Sequence, residues 1–242
     1  VEILVVIPTY NEAANIAQLL GAIFSLGLDL GVLVVDDASP DGTGAMVRDL
    51  GVAYAGLHLL ERTAKFGLGS AYVEGFSWGL ANTDAALLAQ MDADFSHDPE
   101  ALPGLAALAR PGAVAIGSRY VPGGRVVNWG LGRRLLSRGG SLYARTVLGL
   151  PIKDVTGGFK CWPRSVLQGI GLDQVVSDGY AFQVEMSWRA WRLGAELREM
   201  PVTFLDRRVG QSKMTLGIGL EALGLVWTLR RQERRQGLRQ HG

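Results

Sequence analysis

The chain has 242 residues, 48% of them apolar, and a formal net charge of +1. It can bury a full core as one domain, and it is too neutral for a nucleic-acid binder that works through its whole surface. The single cysteine, Cys161, excludes an internal disulfide and points to a reducing compartment.

The first apolar run, Ile3–Ile7, has no basic residues before it and stops at Pro8, which predicts a strand rather than a signal peptide. Strand and helix patterns then alternate. Helices are expected over Ala13–Leu26, Gly42–Leu50, Gly69–Ala81 and Pro99–Ala109, and strands over Val32–Asp36, His58–Leu60, Ala85–Met91 and Ala113–Gly117. That alternation builds a mostly parallel sheet flanked by helices, with every strand ending in a loop on one rim. The second half predicts a helix over Gly132–Leu148, a strand over Val155–Trp162, a helix over Tyr180–Leu193 and a strand over Leu197–Phe204. A final helix over Thr215–Arg235 carries an apolar stripe of Leu216, Leu220, Leu223, Val226 and Trp227, followed by Arg230, Arg231, Arg234 and Arg235. No run of about 18 residues is apolar enough to span a bilayer, so a soluble or peripherally attached protein is expected.

The rim loops carry the chemistry. Asp92 and Asp94 directly follow the apolar run 85–91, so a strand delivers two carboxylates to its carboxyl end, where open α/β sheets bind ligands. Carboxylate oxygens are hard ligands, and Mg²⁺ or Mn²⁺ typically takes one or two of them together with substrate phosphate oxygens and water. The same pair also fits an acidic turn before the helix that Asp98-Pro99-Glu100 opens. The segment Asp36-Asp37-Ala38-Ser39-Pro40-Asp41-Gly42-Thr43 can hydrogen-bond a base or ribose, or can be an ordinary capped turn. Lys65-Phe66-Gly67-Leu68-Gly69 reads equally as a fragment of a phosphate-binding loop or as a surface turn. Arg133 and Ser137, one helical turn apart, can grip one phosphate or belong to a solvated basic face. The basic loop from Asp206 to Lys213 is placed to close over a diphosphate leaving group.

Six ordered blocks resemble one known family. They are Ile7-Pro8-Thr9-Tyr10-Asn11-Glu12, Val34 to Thr43, Met91 to His97, Gly117-Ser118-Arg119-Tyr120, Asp154 to Lys160, and Phe204 to Lys213. Together they are similar to the dolichol-phosphate (polyprenol-phosphate) mannose synthases, inverting glycosyltransferases of the GT-A fold. The resemblance runs from residue 3 to about residue 215 and implies a GT-A catalytic domain over 1–214, while the pattern of residues 215–242 is read by itself as an amphipathic, basic helix. It implies GDP-mannose as donor, a polyprenyl or dolichyl monophosphate as acceptor, and Mg²⁺ or Mn²⁺ as cofactor. By position, Pro8, Tyr10, Glu12, Val35 and Asp37 would hold the nucleoside, and Met91, Asp92, Ala93 and Asp94 would surround the metal and diphosphate, with Asp92 and Asp94 as metal ligands. Arg119, Arg133 and Ser137 would take the acceptor phosphate, and Arg207 and Lys213 the diphosphate. Asp94, Arg119, Arg207 and Lys213 would be the catalytic set. Some relatives carry a Gln metal ligand two residues after the second Asp; here that position is Ser96.

A phosphate monoester acceptor is already largely dianionic at neutral pH, so no side chain need act as a base. Its lipid tail places the reaction at a bilayer, with the enzyme expected on the cytoplasmic face, attached peripherally by its basic C-terminal helix or by a membrane-anchored partner. The alternatives are a polyprenyl-phosphate glucosyltransferase using UDP-glucose and a non-catalytic nucleotide-sugar or polyprenyl-phosphate binding subunit.

Overall fold

Strands built almost wholly from Val, Ile and Leu are stable only when both of their faces are covered, and the chain meets that demand with a seven-stranded sheet between two helical layers. The computed structural model describes residues 2–205, 224 and 226–231. β1 (Ile3–Thr9), β2 (Leu30–Asp36), β3 (Leu57–Glu61) and β4 (Leu87–Gln90) are mutually parallel, in the order β3-β2-β1-β4. The sheet continues through β7 (Lys160–Pro163), β5 (Ala113–Ser118) and β8 (Glu196–Pro201). β7 alone runs antiparallel, against both β4 and β5. A small second sheet pairs β6 (Arg125–Val127) in parallel with β9 (Thr203–Leu205).

Side chains alternate across β1. Leu4 and Val6 enter one core with α3 (Leu68–Asn82), α5 (Leu131–Leu148), α6 (Arg164–Ile170) and α7 (Gly179–Arg192). Ile3, Val5 and Ile7 enter the other, with α1 (Ile16–Phe24), α2 (Thr43–Leu50) and α4 (Leu102–Leu108). α3 lies unusually close to the sheet because Gly75 and Gly79 share the face it presents. A Cβ at Gly75 would fall 2.5 Å from a Val6 methyl, and one at Gly79 2.6 Å from a Leu4 methyl.

The expected first half matches the observed order of elements, with ends shifted by a few residues. In the second half the strand expected over Val155–Trp162 is a loop up to Phe159, and strand pairing begins only at Lys160. The apolar Val155 fills the core, but it forms a turn with Thr156, and Gly157 and Gly158 follow outside the ladder. The strand expected over Leu197–Phe204 is divided between two sheets. Val202 donates its N–H to Ser118 O at 3.0 Å and accepts from Arg125 N at 3.1 Å, so the chain changes sheets there. β6 and α6 went unread, being three and seven residues long. The boundary expected at 214/215 and most of the expected terminal helix lie outside the described residues. Within that helix, residues 226–231 are helical, Val226 and Leu229 are buried in the core, and Trp227 is exposed.

Under the rim, β4, β7 and α7 are tied by buried polar groups. Gln90 Nε2 donates to Gly158 O at 2.6 Å and to Gln183 Oε1 at 2.8 Å, and Trp162 Nε1 donates to Gln90 Oε1 at 2.9 Å. The fully buried Lys160 amine reaches Gln183 O, Gln183 Oε1 and Ser187 Oγ, at 3.0, 3.1 and 2.9 Å. All three partners are neutral. Burial therefore pushes the amine down from 10.5 to about 7, with the Asp154 charge opposing only in part. Above pH 10.5 lysine is neutral folded or unfolded, whereas between 10.5 and about 7 only the unfolded chain is protonated. The contribution of this lysine to stability therefore falls as pH drops through that window and is level below it. Thermal unfolding of Lys160→Met beside the wild type should show the variant at its best relative standing near pH 7, losing ground as pH rises toward 10. A gap that does not change with pH would mean that the folded protein keeps the amine charged.

Candidate active site

The rim loops after β1 and β2 are laced together by short polar side chains. Thr9 Oγ1 and Ser39 Oγ donate to Asp36 Oδ1 at 2.8 and 2.6 Å, and Ser39 N donates to Asp36 Oδ2 at 2.9 Å. Asn11 N donates to Ser39 Oγ, Glu12 N to Thr43 Oγ1 and Ala13 N to Asp41 Oδ2, each at 3.0 Å. Asp36, Ser39, Asp41 and Thr43 thus tie the two loops together, while α2 starts after Gly42 without a side-chain cap. Asp37 faces the other way, into a 2.5 Å ion pair with buried Arg62. Ala38, between them, has φ of 54°, a left-handed conformation that non-glycine residues adopt mainly where surroundings enforce it.

Of the residues expected around the nucleoside, Pro8, Tyr10 and Glu12 are half-buried at this edge. The Lys65 ammonium lies 3.7 Å from the Tyr10 ring centroid, and Glu12 accepts from Asn15 Nδ2 at 2.9 Å. The Val35 side chain packs in the core beneath α3, so only its backbone can meet a ligand. The glycine-rich segment after Lys65 already carries carboxylates. Gly67 N donates to Asp37 Oδ2 at 3.3 Å and Gly69 N to Asp178 Oδ1 at 2.5 Å, so those amides are not an open phosphate cradle.

At the end of β4, Met91 and Ala93 are buried, and the two carboxylates between and beyond them have different surroundings. Asp92, with a quarter of its side chain exposed, accepts from the Tyr72 hydroxyl at 3.0 Å. Burial, then the Asp92 charge, holds the Tyr72 phenol well above its usual range, so it stays a donor. Asp94 is buried and accepts from Ser96 N at 3.0 Å. His97 accepts the Asp92 N–H on Nδ1 at 3.0 Å and stacks on Phe159 at 5.0 Å. Burial pushes its pKa down against the pull of Asp92 and Asp94, so the imidazole is neutral, with its proton on Nε2. Phe95, at φ 60°, gives this turn the same left-handed conformation as Ala38.

Asp92 and Asp94 suit a hard divalent cation. Two positions past Asp94, Ser96 Oγ is buried without a hydrogen-bond partner, an arrangement that a bound group or its water would relieve. Among the described residues no cluster of three or more His, Cys, Asp or Glu could hold a metal by itself. Substrate oxygens and water would have to complete the shell, as Mg²⁺ and Mn²⁺ sites commonly require.

Two strands away from β4, about 10 Å by strand spacing, the end of β5 carries Arg119. It is buried and bidentate on Asp154, with Nε and Nη2 each donating at 2.7 Å, while Arg119 N donates to the same carboxylate at 2.9 Å. Thr156 Oγ1 accepts from Nη2 at 2.9 Å. Burial works against the charge, but the Asp154 carboxylate outweighs it and lifts the guanidinium above the ordinary arginine range. Arg119 thereby holds the 154–159 loop as well as lining a cavity of about 200 Å³ with Tyr120, Gly124, Arg125, Val126, Arg134 and Arg138. Beside it, the Tyr120 hydroxyl donates to Ser137 Oγ at 2.6 Å, leaving the serine proton to be donated elsewhere. Arg133 lies over Trp129, 4.0 Å from the ring centroid. Arg133 and Ser137 thus come near Arg119 through Trp129 and Tyr120, but the arginines of α5 that line the cavity are Arg134 and Arg138. Arg207 and Lys213 lie outside the described residues.

Sequence reasoning missed the supports: Tyr72 under Asp92, His97 behind it, Asp154 under Arg119, and Trp129 beside Arg133. His97 and Asp154 stood inside motif blocks, but nothing in their spacing shows which carboxylate or amide they reach.

The family model for glycosyl transferase family 2 matches residues 4–171. An undecaprenyl-phosphate mannosyltransferase of Micrococcus luteus is 45% identical over 237 residues, covering 98% of this chain and 97% of that protein. A polyprenol monophosphomannose synthase of Mycolicibacterium smegmatis is 45% identical over 240 residues, covering 97% and 90%. Among solved structures, a mannosyltransferase from Pyrobaculum calidifontis in complex with GDP-Man and Mn²⁺ superposes with a TM-score of 0.57. It is 20% identical, covering 87% of this chain and 58% of that one, a likeness of fold.

Proposed function

The chain belongs to glycosyl transferase family 2, and from that premise we propose that it moves mannose from GDP-mannose to a polyprenyl monophosphate with inversion. The observation that carries this reading is the side-by-side seating on one rim: a carboxylate pair at the end of β4, and an arginine-lined cavity two strands over at the end of β5. The first suits a metal-bound diphosphate and the second an anionic acceptor. The names of the 45% identical relatives support mannosyl transfer and a polyprenyl phosphate acceptor.

The chemistry asks little of side-chain bases. An acceptor phosphate oxygen attacks the anomeric carbon from the face opposite the diphosphate, the bond from that carbon to the diphosphate oxygen breaks, and GDP leaves with the electron pair. The acceptor arrives ionised, so no base is needed, and among the described residues His97 is not free to serve as one because its Nδ1 lone pair is held on the Asp92 amide. Asp92 and Asp94 would hold Mg²⁺ or Mn²⁺, which supplies positive charge to the departing diphosphate. Tyr72 and His97 fix the orientation of Asp92. Arg134 and Arg138 on the cavity wall, with Arg133 and Ser137 beside it, align the acceptor, and Arg119 fixes the adjoining loop, so the work is positioning and charge stabilisation. Arg207 and Lys213 are assigned to the diphosphate by their place in the sequence.

A lipid acceptor brings the enzyme to a membrane, and α5 offers a face for it. Leu131, Leu135 and Leu142 are 77%, 71% and 59% exposed and fall on one side of the helix, flanked by Arg134, Arg138 and Arg145. A leucine stripe edged with arginines suits an anionic headgroup layer. None of the described helices is long and apolar enough to cross a membrane.

Incubation with a polyprenyl phosphate, Mg²⁺ and labelled GDP-mannose should give lipid-extractable label, and UDP-glucose should give far less. Asp94→Ala should lower turnover by roughly 10³-fold, given the several kcal/mol carried by a catalytic metal, while GDP binding weakens only modestly. Label from UDP-glucose alone would reassign the donor, and full activity in metal-free buffer would remove the metal. In flotation assays the protein should bind anionic vesicles in low salt, and the double variant Leu135→Glu, Leu142→Glu should bind about tenfold more weakly. Wild-type protein that ignores such vesicles would transfer the attachment to a membrane-anchored partner.

A further inference from the structure

Trp129 lies in the segment between β6 and α5, where its indole is 6% exposed and its Nε1–H is buried with no hydrogen-bond partner. An indole nitrogen can donate but not accept, and a buried donor left without a partner calls for an explanation, such as a bound group that satisfies it. Two guanidiniums lie near this ring, that of Arg119 being already paired with Asp154. The Arg133 guanidinium is 4.0 Å from the ring centroid and that of Arg119 5.5 Å, while Phe204 meets the ring edge-on at 5.3 Å. A phosphate oxygen beside the Arg133 guanidinium has the charge and lone pairs to accept the indole proton, and the Ser137 hydroxyl, which accepts from Tyr120, has its own proton to offer in the same region. We propose that Trp129 donates its indole N–H to an oxygen of the acceptor phosphate monoester, and that its ring keeps Arg119 and Arg133 apart and oriented for the same group. This rests on the acceptor class proposed above.

Trp129→Phe deletes the N–H and keeps a ring for both cations. The KM for a short-chain polyprenyl phosphate should rise about tenfold, the size expected for one hydrogen bond to a charged group, with kcat and the KM for GDP-mannose within twofold of wild type. A spectroscopic readout separates direct contact from packing. The chain has six tryptophans, and the indole cross-peak of Trp129 in proton–nitrogen correlation spectra is assigned by its loss in Trp129→Phe. That peak should move downfield when the polyprenyl phosphate is added to wild-type protein, and should stay in place with GDP and Mg²⁺ alone. Inorganic phosphate at equal concentration should move it much less. A peak that ignores the acceptor, or one that moves with GDP alone, would overturn the assignment; so would an unchanged acceptor KM in the variant. A shift as large with inorganic phosphate would overturn it in favour of a free-phosphate site. Wild-type turnover is measured in parallel. If it is normal while Trp129 stays silent, only this inference fails; if no polyprenyl phosphate is mannosylated, the proposed function fails with it.

Discussion

The acceptor half of this molecule hangs on one buried ion pair, Arg119 with Asp154. Both side chains are almost wholly out of water, at 3% and 0% exposed. Burying a guanidinium and a carboxylate costs several kcal/mol per ion, and proteins keep such pairs only where geometry and further hydrogen bonds offset the loss of water. Here they do. The carboxylate receives both edges of the guanidinium and the Arg119 backbone amide, and the guanidinium also donates to Thr156. Tyr120, Trp129 and Phe204 then place their rings 5.2 to 5.5 Å from the guanidinium carbon. One contact thereby joins the end of β5, the 154–159 loop, the approach to α5 and the small β6–β9 sheet. Removing only the carboxylate would strand a buried cation, a loss on the order of 3–5 kcal/mol.

The donor half is built on a different principle. Its sheet is held by apolar burial on both faces, and its loops by many short hydrogen bonds centred on Asp36, Asp41 and Ser39. Two left-handed residues, Ala38 and Phe95, sit directly after Asp37 and Asp94. Strain of that kind persists where surroundings over-determine the backbone, and here it sets the directions of carboxylates at adjoining loops. The antiparallel β7 couples the halves. It lies between β4 and β5, and its Lys160 end sits in the polar group that includes Gln90, the residue two positions before Asp92.

The fold was legible wherever burial on two faces forces a continuous apolar run, as in Ile3–Ile7 and Val32–Val35, and wherever turn residues punctuate it. Legibility failed where tertiary contacts override local pattern. Val155 looks like strand because it is apolar, yet Asp154 and Thr156 on either side bond to Arg119 and the chain turns at 155–156, leaving a loop there. Leu197–Phe204 reads as one strand, and the hydrogen bonds of Val202 divide it between two sheets. Within the site, the carboxylates Asp92 and Asp94 were readable because they follow a strand, and Arg133 with Ser137 because helical spacing puts them on neighbouring turns. Their supports were not readable. Tyr72 lies 20 residues from Asp92 and Asp154 lies 35 from Arg119, separations that only the folded sheet brings within reach. Asp36 and Asp37 look equivalent in the sequence and are not, because strand alternation sends one to Thr9 and Ser39 and the other to Arg62.

The central claim is that the Arg119–Asp154 pair organises the acceptor side while the donor side stands without it. Hydrogen–deuterium exchange on Asp154→Asn beside the wild type tests this directly. Exchange should quicken at residues 119–137, 154–159 and 203–205, with β1, β2 and the end of β4 as protected as before. Unchanged protection around Arg119, or a loss spread evenly across the whole sheet, would contradict the account.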